Sequence, residues 1–259
     1  MPKFTVEYQI SEPAAYAVTA LEQSGFKPAD ENEKYLYGIF DFGGGTTDFD
    51  FGVWRGADDD EFDKFNCDYV LECFGADSDV RLGGENILEM LAYQVFKDNK
   101  SMAAEKKIAC ALPLDQTAFI GGEQLISNSQ SANRNLTLLK ENLRPLWEQH
   151  EDWEKEYGKR NSENLSADEK KEEFIEIQMN DFNGKAVPNC RFLIDTGKLL
   201  KLIKERIQKG VDAFFQCIEK SILGNKAAQS ASEKIYIFLA GNSCKSIFVK
   251  EIFQSTIQK

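Results

Sequence analysis

Ile39-Phe-Asp-Phe-Gly-Gly-Gly-Thr-Thr-Asp-Phe-Asp-Phe-Gly52 is the stretch on which the reading of this chain turns. An apolar run ends in Asp41, three glycines follow, and after Thr46, Thr47 and Asp48 an alternation resumes through Phe49, Phe51 and Val53. Period-two patterns on either side of a glycine cluster predict strand, tight turn, strand. Gly43, Gly44 and Gly45 can take backbone angles closed to other residues and leave no Cβ in the way, so amide hydrogens can approach an anion closely. The turn is a candidate phosphate cradle. Asp41 and Asp48 flank it as hard oxygen donors suited to a magnesium ion that keeps most of its waters, and Thr46 adds a hydroxyl. Glycine clusters mark turns everywhere; an acidic residue and a strand on each side set this one apart.

Outward from the turn, residues 35–42, 46–54 and 64–74 read as three strands joined by short connections, an antiparallel meander. Thr47, Phe49, Phe51 and Val53 share one face of the second strand; Phe65, Cys67, Tyr69, Leu71 and Cys73 share one face of the third, which makes Cys67 and Cys73 core residues. Residues 58–61, three aspartates and a glutamate, read as a solvated turn without the glycine and ligand spacing of a calcium loop. Upstream, residues 11–24 have helical spacing. Downstream, Gly83 and Gly84 precede a helix with Ile87, Leu88, Leu91 and Val95 on one face. Residues 133–150 are helical in pattern, broken near Pro145, and residues 151–173 are highly charged and mixed in sign, a solvated face. Residues 174–179 and 190–194 alternate about an Asn183-Gly184 turn, and Asp195 or Thr196 caps a long helix striped with Leu199, Ile203, Ile207, Val211, Phe214 and Ile218. Residues 235–239 form a short, wholly apolar strand of the kind buried on both faces.

Composition bounds the function classes. A chain of 259 residues, 42% hydrophobic, can bury a sizeable core. The absence of a run of about 18 apolar residues argues against a membrane span, and the start of the sequence has no apolar signal core. A net charge of −12 argues against nucleic acid as a partner, although local amides and a magnesium ion offset that field within a single turn. Six cysteines without a Cys-x-x-Cys pair, and a single histidine, His150, argue against a structural zinc site and against a His-dependent hydrolase. Free thiols and a cytoplasmic location follow as expectations, with His150 on the surface of a charged helix.

Asp-Phe-Gly-Gly-Gly-Thr-Thr-Asp over residues 41–48 resembles the second phosphate motif of the actin, sugar-kinase and 70-kDa heat-shock chaperone superfamily, closest to the chaperone branch. Ile235-Tyr-Ile-Phe-Leu-Ala-Gly-Asn-Ser-Cys-Lys-Ser246 resembles its adenosine motif, with Ala240 and Gly241 at the paired-glycine positions and Asn242 opening the polar turn. The Glu12-Pro13-Ala14-Ala15 core of residues 10–21 is similar to the helix that joins the two lobes of these ATPases. Arg81-Leu-Gly-Gly-Glu-Asn86 resembles the turn that follows the phosphate hairpin in the chaperones. The four matches fall in family order. Nothing matches the family's first phosphate motif or its lysine segment, so the resemblance is to the second lobe only, half of an ATPase.

The resemblance implies an α/β fold: a ribonuclease-H-like (actin-like ATPase) lobe with a mixed sheet and an inserted smaller α+β subdomain. Residues 1–97 would hold the linking helix and the phosphate hairpin, 98–190 the inserted subdomain, and 191–259 the adenosine motif. It also implies ATP or ADP and Mg2+ as cofactors. Gly43, Gly44, Gly45 and Thr46 would contact phosphate, Asp41 and Asp48 would orient magnesium-bound water, Glu12 would stand near the catalytic centre, and Gly241 would back the nucleoside. Glu141 and Arg144 match a pair that grips adenine and ribose, and Lys245 stands in for the family's arginine after the adenosine glycines. Partners would be the adenine nucleotide and a co-chaperone, nucleotide-exchange factor or client protein, with no nucleic acid and no membrane. Two functions remain open: an ATP/ADP-binding lobe of a chaperone-like ATPase, not competent for hydrolysis alone, or a non-catalytic interaction module that keeps the fold. A sugar or acetate kinase lobe is disfavoured by the Leu-Gly-Gly-Glu turn.

Overall fold

The computed structural model describes residues 11–150, 173–229 and 234–258. In chain order the elements are α1 (Glu12–Gln23), β1 (Lys34–Phe42), β2 (Thr47–Gly56), α2 (Asp59–Phe65), β3 (Tyr69–Asp79), α3 (Gly84–Asp98), α4 (Lys100–Glu105), α5 (Gln130–Glu148), β4 (Glu173–Asn180), β5 (Ala186–Ile194), α6 (Thr196–Gly224), α7 (Lys226–Gln229), β6 (Ile235–Ala240), a 3-10 turn (Asn242–Lys245) and α8 (Ile247–Ile257). The architecture is mixed α/β, with a mixed sheet of four strands and a second sheet of two. The chain divides into two units, Met1–Val80 with Gly210–Cys244, and Arg81–Lys209 with Lys245–Lys259.

In the first unit the strand order is β3-β2-β1-β6. The meander is antiparallel as expected, and β6 runs parallel to β1 with Ala240 beside Asp41. Alternation sends Tyr37, Ile39 and Trp54 to one face, where they pack with Ala17 and Leu21 of α1. The opposite face carries Phe40, Phe49 and Phe51, whose rings meet that of Phe214 on α6 at centroid distances of 5.6, 5.5 and 5.1 Å. Helix α1 starts where Ser11 Oγ accepts from the Ala14 amide at 3.3 Å, with Pro13 in its first turn, where a missing N–H costs nothing.

Three local expectations for this unit are corrected. Asp58 accepts a hydrogen bond from the Glu61 amide at 2.8 Å and the Glu61 carboxylate accepts from the Asp58 amide at 3.0 Å, a capping box that starts a helix where a solvated turn was expected. Phe65 therefore sits on α2, 64% exposed, and not on a strand. Strand β3 begins at Tyr69, and a bulge takes Phe74 out of register, so Gly52 pairs with Cys73 and Phe51 with Gly75. Cys73 is exposed and Cys67 half-buried, not core residues; all six cysteines are free. Finally, β6 is only partly buried, because among the described residues it has a neighbour on the β1 side alone.

The second unit packs α3 against α5, and α5 against the β4–β5 hairpin. Asn135, fully buried on α5, donates to the carbonyls of Ala109 and Asn180 at 2.8 Å each and accepts from the Asn180 amide at 2.8 Å. Asn99 does the same between α3 and β5, bonding both Leu193 backbone groups at 2.8 and 2.9 Å. These buried amides are satisfied, so they fix one arrangement of helices on hairpin. Gly184, φ +80, makes the expected hairpin turn, and Asp195 Oδ1 accepts from the Lys198 amide at 2.9 Å to cap α6.

Two expectations for this unit are corrected as well. Helix α5 is not broken at Pro145; it continues to Glu148 because the proline falls in the last turn and removes a single donor. His150 is not on the surface: it is half-buried with its ring 4.8 Å from that of Phe248. The charged stretch 151–173 lies outside the described residues up to position 172. Among the described residues no helix is long and apolar enough to cross a membrane.

Candidate functional site

The phosphate-type turn is built as a hairpin end. Phe42 pairs with Thr47, and the Gly43 amide donates to the Thr46 carbonyl at 2.9 Å, which leaves Gly44 and Gly45 at the tip. None of the three glycines has a positive φ, so the conformational freedom expected of them is not used. What they contribute is room: nothing lies within 4 Å of where a Cβ on Gly44 or Gly45 would stand. Both are exposed, and among the described residues their amides have no hydrogen-bond partner. Two N–H groups without an intramolecular partner on an exposed tip are available to an acceptor from outside the chain.

Asp41 and Asp48 are directly opposite each other across β1 and β2, on the sheet face that carries α1. Thr46 Oγ1 donates to Asp48 Oδ2 at 3.3 Å. Burial pushes the Asp41 carboxyl up from its ordinary range, and the negative charges of Glu12 and Asp48 push it further. Asp41 thus feels the charge of both Glu12 and Asp48 in the first unit. A cavity of about 340 Å3 opens beside them, lined by Ser11, Pro13, Asp48, Asp50, Asp77 and Ser78. Among the described residues no group of three or more His, Cys, Asp or Glu side chains is arranged to hold a metal ion directly.

The adenosine-type turn lies against the same strand end. Gly241 has φ +81, and a Cβ there would collide with the Phe42 carbonyl and come within 2.6 Å of Asp41 Oδ1. Ser243 Oγ donates to the Gly43 carbonyl at 2.9 Å, and the Cys244 thiol points to the Phe40 carbonyl at 3.6 Å. Burial pushes that thiol up to about 12, so it packs as a neutral group. Ala240 is buried, whereas Asn242 and Lys245, which bound the 3-10 turn, are exposed.

Other anticipated site residues belong to the second unit. There Arg144 holds Glu141 through two bonds of 3.0 and 2.7 Å, Glu85 at 2.8 Å and Glu148 at 2.7 Å. The pair drawn together by sequence spacing is in contact, but its hydrogen-bonding groups are spent within the α3–α5 network. The guanidinium lowers the Glu141 and Glu85 carboxyls, and the carboxylates raise Arg144 in turn. Lys245 lines a cavity of about 250 Å3 in this unit with Trp147, His150 and Ser246.

Sequence reasoning missed two residues. Ser243 lies inside the adenosine-type motif, yet nothing in its spacing signals a bond to a carbonyl 200 positions away. Asp50 is 4% exposed and accepts from Tyr37 Oη at 2.8 Å. Its place in the alternation of β2 puts it on the face of Asp48, which is the signal that was available.

The sequence matches no protein-family model and no curated protein.

Proposed function

We propose that the first unit binds the phosphates of an adenine nucleotide, ATP or ADP, together with magnesium, as the second lobe of an ATPase of the 70-kDa heat-shock type. One observation carries the reading: the two glycine turns, far apart in sequence, share a strand end, with Gly241 against Asp41 and Phe42 and Ser243 bonded to Gly43. Open amides at Gly44 and Gly45 suit phosphate oxygens. The negative charges of Glu12 and Asp48 beside the Asp41 carboxyl, which burial has already raised, suit a cation held through its water shell by Asp41 and Asp48, since two carboxylates are too few to strip a magnesium ion. When bound, magnesium would supply the positive centre that offsets phosphate charge and orders water. Thr46 and Glu12 would be the residues that steer that water. An antiparallel meander followed by a parallel strand beside β1 supports the ribonuclease-H-like form of the lobe.

The test is an NMR titration of the chain with ADP and magnesium. Resonances of Gly43–Thr46 and of residues 240–244 should move together with one binding constant. Their joint silence at saturating nucleotide would favour the second reading, a non-catalytic interaction module on the same fold. That alternative draws support from Arg144, whose donors are already taken by three carboxylates.

A further inference from the structure

In the second unit the segment between α4 and α5 carries two large aliphatic side chains almost wholly in solvent, Leu114 at 97% and Ile120 at 93% exposure. It is nonetheless firmly anchored. Phe119, 8% exposed, packs near the rings of Tyr93 and Phe96 at 6.1 and 6.5 Å, and Tyr93 Oη donates to the Thr117 carbonyl at 3.0 Å. The Gln116 amide closes a turn onto the Pro113 carbonyl at 3.0 Å, and Asp115 is tied to Arg81 Nε at 3.3 Å. A pinned segment holding apolar side chains in water gains nothing for folding from them, and such patches mark interaction sites.

Leu114 borders a groove of about 470 Å3 whose floor includes Ile87 and Met90 and whose rim carries Arg81, Arg206 and Lys209. The facing acids are already engaged: Glu89 by Lys140 at 3.2 Å, and Asp115 by Arg81. Lys209 is exposed and has no ion-pair partner among the described residues. The lining carries three cations, Arg81, Arg206 and Lys209, against two carboxylates, Glu89 and Asp115, so on a chain with net charge −12 the groove is a locally basic, partly apolar strip.

We propose that this groove docks an acidic segment of another protein that carries a bulky apolar anchor, the anchor packing on Leu114 and Met90 and the carboxylates facing Lys209. Basic rims select charge and raise the rate of encounter, while a buried apolar anchor supplies most of the affinity. The site is separate from the nucleotide turn, so it stands or falls independently of that reading.

The probe is a fluorescein-labelled, end-capped peptide of aspartate, glutamate and glycine with a central Leu-Phe pair, followed by anisotropy with the full chain. Leu114→Ser should weaken binding about tenfold or more, and Lys209→Gln several-fold with a flatter salt dependence. Both positions are exposed, so circular dichroism and the thermal midpoint should not change. Replacing Leu-Phe in the probe by Ser-Ser should cost as much as Leu114→Ser. The proposal is overturned if the double variant binds as tightly as the parent, or if a lysine version of the peptide or a single-stranded oligonucleotide of equal charge binds as well as the acidic probe. Self-association of the chain that Leu114→Ser abolishes would overturn it too, by assigning the groove to a second copy.

Discussion

Ser243 Oγ donates a 2.9 Å hydrogen bond to the carbonyl of Gly43, joining residues 200 positions apart. The bond holds the open glycine tip against the turn that ends β6. Ser243→Ala should cost about 1 kcal/mol of stability, the usual net value of such a bond. It should also shift the amide resonances of Gly43–Thr46 in the free protein. Unchanged spectra there would mean that the hairpin keeps its shape without the serine.

Gly241→Ala should be costlier. Its φ of +81 is unfavourable for alanine, and the added methyl meets the Phe42 carbonyl and Asp41. Strain of this kind is worth about 1–3 kcal/mol before the steric clash is added. A thermal midpoint within a degree or so of the parent would contradict the close approach of the two strand ends. Loss of magnesium-ADP binding along with the lost stability is expected.

Asp41 gives a pH prediction with a definite sign. Its folded carboxyl is raised by burial and by the charges of Glu12 and Asp48, so the fold favours the protonated form. That contribution is fully present below the unfolded carboxyl's range and is lost as pH rises through the folded value. Asp41→Asn should therefore raise the thermal midpoint at pH 7, with the gain vanishing below about pH 4. Millimolar magnesium should stabilise the parent at pH 7 more than Asp41→Asn. Equal stabilisation of both would remove Asp41 from the proposed cation site.

If the proposed resemblance holds, no appreciable ATP turnover is expected of this chain alone, since no part of its sequence resembles the first phosphate motif or the lysine segment of the 70-kDa heat-shock ATPases. Malachite-green assays with ATP and magnesium should stay at background. Steady phosphate release that disappears in Asp41→Asn would refute this and point to a complete active site.

Phe214 is the ring on which Phe40, Phe49 and Phe51 converge. Phe214→Ala should cost about 3–5 kcal/mol, as large-to-small changes in packed cores do. Chemical denaturation read by fluorescence and by far-ultraviolet circular dichroism would measure it. A loss under about 1 kcal/mol would indicate that the sheet face repacks without the ring.

The amino-acid sequence by itself determined the hairpin Ile39–Gly52, α1, α3, the β4–β5 hairpin and the long α6. In each, local propensity, period and capping agree: alternation brackets the glycines, Pro13 and Ser11 begin α1, and Asp195 begins α6. Where two local signals competed, the stronger one decided. The Asp58–Glu61 capping box outweighed the alternation that would have put Phe65 on a strand. Partnerships across the chain were decided only by the fold. The sequence places Gly241 after an apolar strand and Gly43 before another, but the parallel registry of β1 with β6 aligns Asp41 with Ala240 and sets Ser243 on Gly43. Sequence spacing encodes neighbours a few residues apart, along one helix or strand. Contacts between distant segments arise from which faces bury each other, and that is a property of the packed core.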